Sequence, residues 1–437
     1  MERRSFLKSS SLATAALFSP SAILNQEEKI KLGVVGVGWW ANDFLIPFAQ
    51  ASGHFEVIGI CDVDAEALET TTAKVIEGGG LSPKAFASYQ DMYEMPGIEA
   101  IAIATPTHWH ALQFIAACEK GLDVWLEKPI SYDIREAQAM LDAHTKANNT
   151  VNVDFPRLYG PLNTEIKDFI HSGQAGEICQ ISFNIHNTEG YPKTAEIPPH
   201  LDYEKFCGPA PMTPYRPSWR GSSPAWRAQH DFSRGILADW GIHYLQNIRS
   251  VMDWDFPDRI SAIGGITRKD GRENPDHLTV NFDFDGLPVQ WTQKTFGYTP
   301  PLPHTKIGVF FYGDKATIFV NDTGWEVYPA DGSEMKTYGD PLMPFGGPKH
   351  MELVRDIFVA QWTDFATGIR KKSNAGLKGT FHQGFVTTSC INYADFAYRS
   401  EQPVDFDDTT MDISNNSKAA GMLQRSYRNG YRHPFVG

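Results

Sequence analysis

Gly36-Val37-Gly38-Trp39-Trp40-Ala41 closes an apolar, β-branched run that begins at Lys31, and it opens into a helical pattern. That order of residues suits an anion. Gly36 permits a tight turn, Gly38 lets backbone amides approach a pyrophosphate, and the small Ala41 allows a helix to sit close to a strand, with the phosphate at the helix N-terminus. A glycine-rich strand-to-helix turn also occurs without any ligand, so the motif gains weight from a second feature. The next apolar run, residues 55–61, ends in Asp62, whose carboxylate is placed to accept hydrogen bonds from the hydroxyls of an adenosine ribose. A carboxylate there repels a 2′-phosphate and favours NAD over NADP, with Lys74 and Lys84 as the opposing cations. Asp64 has an alternative use as the N-cap of a helix over residues 65–76. His108 and His110 form a possible ligand pair, but no third ligand lies at suitable spacing; packed histidines at a helix start, and no metal, are expected.

The elements that must hold these residues alternate regularly. Strand-like runs at 100–104, 123–126 and 151–155 are separated by helical patterns at 107–120 and 133–146. Repeated βα units predict a doubly wound parallel sheet, with ligands at the carboxyl ends of its strands. Two further turns fall at those ends: Thr105-Pro106-Thr107-His108-Trp109-His110 and Glu127-Lys128-Pro129. From residue 157 the rhythm breaks. A helix at 162–171, strands at 178–186, 260–266, 277–284, 289–295, 307–312 and 316–320, and Asp-Gly turns at 285–286 and 331–332 predict a largely antiparallel open sheet facing the first domain. Helices over 350–367 and 380–399 are expected beside that second sheet. The fold class is thus α/β, with a Rossmann domain over 29–155 and a C-terminal α+β domain over 156–437. Within the second, residues 192–226 carry eight prolines with Tyr203, Tyr215, Trp219, Arg220 and Trp226, a set suited to stacking on a sugar ring or to covering a surface. The tail bearing Arg425, Arg428, Arg432 and His433 reads as a solvated basic end or a subunit contact.

Composition narrows the function classes. The 437 residues are 42% hydrophobic and 21% charged, ordinary globular values that accommodate two domains. A net charge of −13 without a basic run argues against nucleic acid or an anionic membrane surface. Five scattered cysteines with no C-x-x-C encode neither a zinc site nor a disulfide framework. No apolar stretch reaches the roughly 20 residues that span a bilayer. Residues 1–25, with Arg3-Arg4-Ser5-Phe6-Leu7-Lys8 before a weakly apolar run over 9–18, read as a twin-arginine signal peptide and predict export to the periplasm.

In order and spacing, the glycine turn, Asp62, the 104–110 turn and Glu127-Lys128-Pro129 resemble the glucose-fructose oxidoreductase, inositol dehydrogenase and MocA (Gfo/Idh/MocA) family. Phe206-Cys207-Gly208-Pro209-Ala210-Pro211 resembles its Leu-Gly-Pro-Ala-Pro segment, and Asp239-Trp240-Gly241-Ile242-His243 its Asp-x-x-x-His helix, so the likeness runs from about Lys29 to Phe406. The resemblance implies a carbohydrate-oxidising enzyme with a nicotinamide cofactor, and a homo-oligomer is expected. It implies that Lys128, Asp239 and His243 line the substrate pocket as catalytic residues, and that Gly36, Gly38, Trp39, Trp40, Asp62, Thr105, Pro106, His110, Glu127 and Lys128 bind the cofactor. Such chemistry wants these types: an imidazole with a pKa near ~6.5 to take the hydroxyl proton, and an ammonium to hold the oxygen. Asp239, four residues before His243, shares its helical face and would orient or polarise the imidazole or bind a neighbouring hydroxyl, with orientation the assigned role, unless it caps the helix instead. Two departures stand out: Arg234-Gly235 where many members have Gly-Gly, which puts a charge at the pocket rim, and Gln246 where an Asp often follows the histidine. An exported enzyme meets no cytoplasmic NAD pool, which favours a retained cofactor and a redox-neutral cycle of oxidation, elimination or epimerisation, and re-reduction. A plain sugar or polyol dehydrogenase and a non-catalytic NAD- or glycan-binding protein are the alternatives.

Overall fold

The first sheet has the order β3-β2-β1-β4-β5-β6, built from Ile30–Val35 (β1), Phe55–Cys61 (β2), Lys84–Phe86 (β3), Ala100–Ile103 (β4), Asp123–Leu126 (β5) and Val151–Val153 (β6), all parallel. A computed structural model describes residues 27–186, 190–217, 225–295, 303–428 and 430–435; the leader, Trp219 and Arg220 lie outside them. Helices cover both faces, so β4 is buried at every position and its sequence is a continuous apolar run. The strand order reverses between β1 and β4, which opens a crevice at their carboxyl ends, where Gly36 and Thr105 follow directly.

The second sheet is β14-β13-β12-β11-β7-β10-β9-β8, formed by Ile178–His186 (β7), Arg259–Gly265 (β8), His277–Phe284 (β9), Leu287–Lys294 (β10), Ile307–Gly313 (β11), Ala316–Val320 (β12), Gly324–Pro329 (β13) and Lys336–Gly339 (β14). Its pairs are antiparallel except for the central β7–β10 pair. Alternate residues of β9 are buried, the signature of a sheet with one covered face. The β9–β10 hairpin turns at Asp285 and Gly286, whose φ values of 54° and 81° match the mirror-image turn that an Asp-Gly pair favours.

Two expectations about placement change. The helix Pro348–Lys371 lies not beside the second sheet but on the first, where Trp362 stacks on Trp125 at 3.8 Å and Phe365 on Phe55 at 5.8 Å between centroids. Its apolar residues recur at helical spacing and meet large aromatic faces on β2 and β5, a match of shape that periodicity alone does not reveal. The tail does not stand in solvent either: Arg425 pairs at 2.9 Å with the buried Glu136 of the first domain. Among the described residues no helix is long and apolar enough to cross a membrane.

Candidate active site

The glycine turn is built for close approach. Gly36 has φ +82°, and a Cβ there would lie 2.6 Å from the Thr105 amide nitrogen, so no other residue fits. A Cβ on Gly38 would meet nothing within 4 Å, leaving open space at a cavity of about 320 Å³. A pyrophosphate fits that space, against the start of the helix that Ala41 opens. Asp62 lines the same cavity and also braces the turn, accepting from the Val37 amide at 2.8 Å and the Asp64 amide at 3.0 Å. Tyr89, Trp109, Lys205 and Tyr431 complete the wall, with Thr105 and Pro106 at its floor. Lys74 pairs with Asp43 at 2.6 Å and Lys84 sits over the Phe86 ring, and neither lines the cavity. Asp64 caps its helix, accepting from Ala67 N at 3.1 Å.

Trp39, Trp40, Thr105, Trp226 and Arg227 are shared with a second cavity of about 770 Å³, which Glu127, Lys128, Asp239 and His243 also line. The two spaces together offer an adenosine end and a nicotinamide-plus-substrate end. Trp40 Nε1 donates to Glu127 Oε1 at 2.6 Å, fixing the partition between them. Burial and then the Asp154 carboxyl push Glu127 well above the usual carboxyl range, and burial raises Asp154 too.

Lys128 follows β5 directly and reaches across to the second domain. Its Nζ donates to the Asp239 carbonyl oxygen at 2.7 Å and to Asp239 Oδ1 at 3.1 Å, while Arg227 Nη1 lies 3.1 Å from Oδ2. Burial works against the Asp239 anion, but Arg227 and Lys128 prevail and hold its pKa below the usual range. His243 is held neutral, first by burial and then by the charges of Lys128, Arg157 and Arg227, which keep its pKa well below 6.5. Its Nδ1 is buried and has no hydrogen-bond partner among the described residues. Deeper in the cavity Arg157 grips Asp322 through two bonds of 2.6 and 2.8 Å.

Lys128, Asp239 and His243 therefore meet in one cavity, but Asp239 neither caps a helix nor orients the imidazole. It sits inside a π-turn, Leu237–Gly241, that precedes the α-helix Ile242–Met252, so the regular four-residue register is broken where it would bring the carboxylate to the ring. Two cations claim it instead. His110 lines neither cavity: its ring bridges the carbonyls of Thr105 and Pro129, each at 2.7 Å, and so ties the two loops together. Burial nevertheless pushes its pKa down to about 4. Arg234 puts no charge at the rim; it is buried against Asp395 at 2.7 Å. Gln246 is likewise interior, donating to Gln383 Oε1 at 2.7 Å. In the proline-rich stretch Tyr203 and Tyr215 pack on each other inside the fold, whereas Trp226 faces both cavities. Arg227, Arg157, Asp322 and Tyr431 belong to the site without any sequence motif to announce them.

Residues 30–155 match the family model of an oxidoreductase family with an NAD-binding Rossmann fold, GFO_IDH_MocA, and residues 181–265 match the C-terminal alpha/beta domain of that oxidoreductase family. The chain belongs to the Gfo/Idh/MocA family. An inositol 2-dehydrogenase of Salmonella paratyphi B is 25% identical over 165 residues, 38% of this chain and 48% of that protein. An inositol 2-dehydrogenase/D-chiro-inositol 3-dehydrogenase of Lactiplantibacillus plantarum is 24% identical over 171 residues, with the same shares of 38% and 48%. The matches thus span about half the length of these curated Gfo/Idh/MocA relatives. Among solved structures, an aldose-aldose oxidoreductase from Caulobacter crescentus complexed with glycerol is 17% identical, covering 87% of this chain and 100% of that one with a TM-score of 0.65. A levoglucosan dehydrogenase in complex with NADH and levoglucosan is 18% identical, covering 86% and 99% with a TM-score of 0.65. At such identity these two share the fold.

Proposed function

We propose that this protein oxidises a hydroxyl of a sugar or glycoside with a retained NAD, in a cycle that ends with no net change in the cofactor. The observation that carries the reading is a neutral, cavity-lining imidazole with an unpartnered Nδ1 beside the ammonium of Lys128, across from a glycine turn with room for a pyrophosphate. A nicotinamide bound there would supply the hydride acceptor for oxidation of the carbinol carbon and the hydride donor for the closing reduction. Lys128 Nζ donates to the hydroxyl oxygen and stabilises the charge that develops there. His243, being neutral, accepts the hydroxyl proton through a ring nitrogen. Asp239 holds Lys128 in place, so its work is on the ammonium rather than on the imidazole. The resulting ketone acidifies the adjacent C–H. Loss of that proton permits expulsion of a β-substituent, or its return to the other face permits epimerisation.

NAD rather than NADP is supported by the carboxylate of Asp62 in the adenosine cavity and by the diversion of Lys74 and Lys84 away from it. Export is part of the proposal, carried by Arg3-Arg4 and the apolar run after them. The names of the similar inositol and levoglucosan dehydrogenases favour a second reading, a plain polyol or sugar dehydrogenase. Mass spectrometry of the purified folded protein for bound dinucleotide, then incubation with a glycoside panel in deuterated water, separates them. Product carrying deuterium beside the oxidised carbon, with constant NADH, supports the cycle. Stoichiometric NADH without deuterium uptake establishes the plain dehydrogenase, and sugar binding with neither signal leaves a binding protein. Lys128→Ala and His243→Ala should each lower turnover by roughly 10²–10⁴ while dinucleotide stays bound.

A further inference from the structure

The described residues of the C-terminal segment, 425–428 and 430–435, form a loop that is anchored on the first domain at both ends and places Tyr431 in the wall of the adenosine cavity. Arg425 pairs with Glu136 at 2.9 Å, donates through Nη2 to the His108 carbonyl at 2.9 Å, and lies 4.1 Å over the Tyr132 ring. Tyr427 adds a bond of 2.8 Å to the same Glu136 carboxylate. Arg428 binds three carbonyls of the 204–209 stretch: Pro209 through its amide, Gly208 through Nε and Glu204 through Nη2, all at 2.9–3.0 Å. The segment then returns to the same anchor: His433 reaches Asp133 Oδ2 at 3.1 Å, the oxygen that also accepts from the Arg425 amide at 3.0 Å, and Arg135 lies over the Phe435 ring at 5.1 Å. Asp133, Glu136 and His433 come close enough together for a cation, but the guanidinium of Arg425 already neutralises them.

Between those anchors stands Tyr431. Its ring meets Trp109 edge-on at 5.6 Å and 84°, and Trp109 meets Tyr89 in the same way at 6.0 Å and 73°. All three line the cavity that holds Gly38 and Asp62. The wall beneath is close-fitting: a Cβ on Gly208 would come within 2.3 Å of the Trp109 ring. Three aromatic rings at one end of a cavity, with a carboxylate and a glycine turn in the same space, match a purine joined to a ribose and a pyrophosphate.

We propose that residues 425–428 and 430–435 form a strap closing the adenosine end of the cofactor site, with Tyr431 a contact residue for the adenine, so that the dinucleotide is held as a resident group. Release then requires Tyr431 to swing away from Trp109 or the anchored segment to lift. The inference rests on the reading that this chain binds NAD, and it supplies a structural reason for retention that the redox-neutral cycle needs.

The test is ligand binding by the full chain rather than turnover. Stopped-flow fluorescence gives the NADH dissociation rate, and calorimetry gives the affinity for ADP-ribose and for nicotinamide mononucleotide. Tyr431→Ala should raise the NADH dissociation rate and the ADP-ribose Kd by roughly tenfold each, as loss of one stacking ring predicts, leaving nicotinamide mononucleotide unchanged. Tyr431→Phe, which keeps the ring, should stay within about twofold of the parent. Thermal denaturation without ligand checks that the variants are folded, and Tyr431→Leu replaces the alanine if that one is not. Parent-like NADH dissociation in the folded alanine or leucine variant overturns the strap and leaves the proposed function standing. Failure of the parent protein to bind both NADH and ADP-ribose overturns both.

Discussion

His243 carries a consequence for pH that follows from its surroundings. Burial and three cations hold its pKa well below 6.5 in the folded protein, so the imidazole is already neutral throughout the physiological range. The acid limb of kcat/KM that reports this group should therefore fall below pH 6.5, and His243→Asn should remove that limb together with most of the activity. A limb centred above 6.5 in the parent enzyme would contradict the assignment. The stability sign is the same: because the unfolded imidazole binds its proton at higher pH than the folded one, His243 makes folding less favourable as pH falls through 6.5. Asp239 behaves oppositely to a group that merely orients. Removing its charge takes away the carboxylate that both Lys128 and Arg227, with side chains 11% and 18% exposed, reach at 3.1 Å. Asp239→Ala should cost on the order of 3 kcal/mol in a denaturant melt, and Asp239→Leu should not restore it. At this scale the motifs pointed to Lys128 and His243, and the structure brings both to one cavity. Spacing misassigned the partner of Asp239, because a π-turn changes which side chains meet and because Arg227 comes from a loop with no pattern of its own.

At the scale of elements, the glycine turn separates two effects that a motif treats as one. Gly36 is needed for the backbone, since φ +82° and a 2.6 Å approach to Thr105 N exclude any side chain. Gly38 is needed only for what the cavity receives. Gly36→Ala should therefore destabilise the protein by roughly 1–3 kcal/mol and weaken NADH binding with it. Gly38→Ala should melt like the parent and still lose dinucleotide affinity, which fluorescence titration reads directly. Equal melting losses in both variants would show that the open space at Gly38 is not a ligand site. The strands that build this turn were legible because parallel, doubly covered strands are continuous apolar runs, as in β4. Two of those that escaped notice lie at sheet edges: β3 has three residues, none of them buried, and β14 is exposed at all four positions, while the third, β13, pairs inside the second sheet and is buried at four of its six positions. An edge strand owes its place to its neighbour's unpaired backbone, and its own side chains leave little trace.

At the scale of the molecule, the boundary drawn near residue 155 divides the chain but not its core. Sequence periodicity found the helix Pro348–Lys371 and could not say which sheet it serves, because an apolar stripe specifies a face and not a partner. It serves the first sheet, and Trp362, fully buried, stacks on Trp125 of β5. A second bridge is the helix Phe381–Ser400, where Phe381 stacks on Phe114 of the first domain at 5.2 Å while the helix also packs along β8. Lys128 comes from the first domain and His243 from the second, and they meet in one cavity, so the site is aligned only when both halves are folded together. Calorimetry should accordingly show one cooperative transition rather than two, since neither half can melt without exposing aromatic surface belonging to the other. Trp362→Ala removes the largest ring of that junction and should cost about 3–5 kcal/mol. Its effect should also reach the chemistry: as the helix loosens from the first sheet, the pairing of Lys128 with Asp239 across the cleft weakens, and kcat falls at temperatures well below the midpoint. Two resolved transitions in the parent, or a Trp362→Ala variant with parent-like melting and turnover, would show that the halves are independent and that the junction does not align the site.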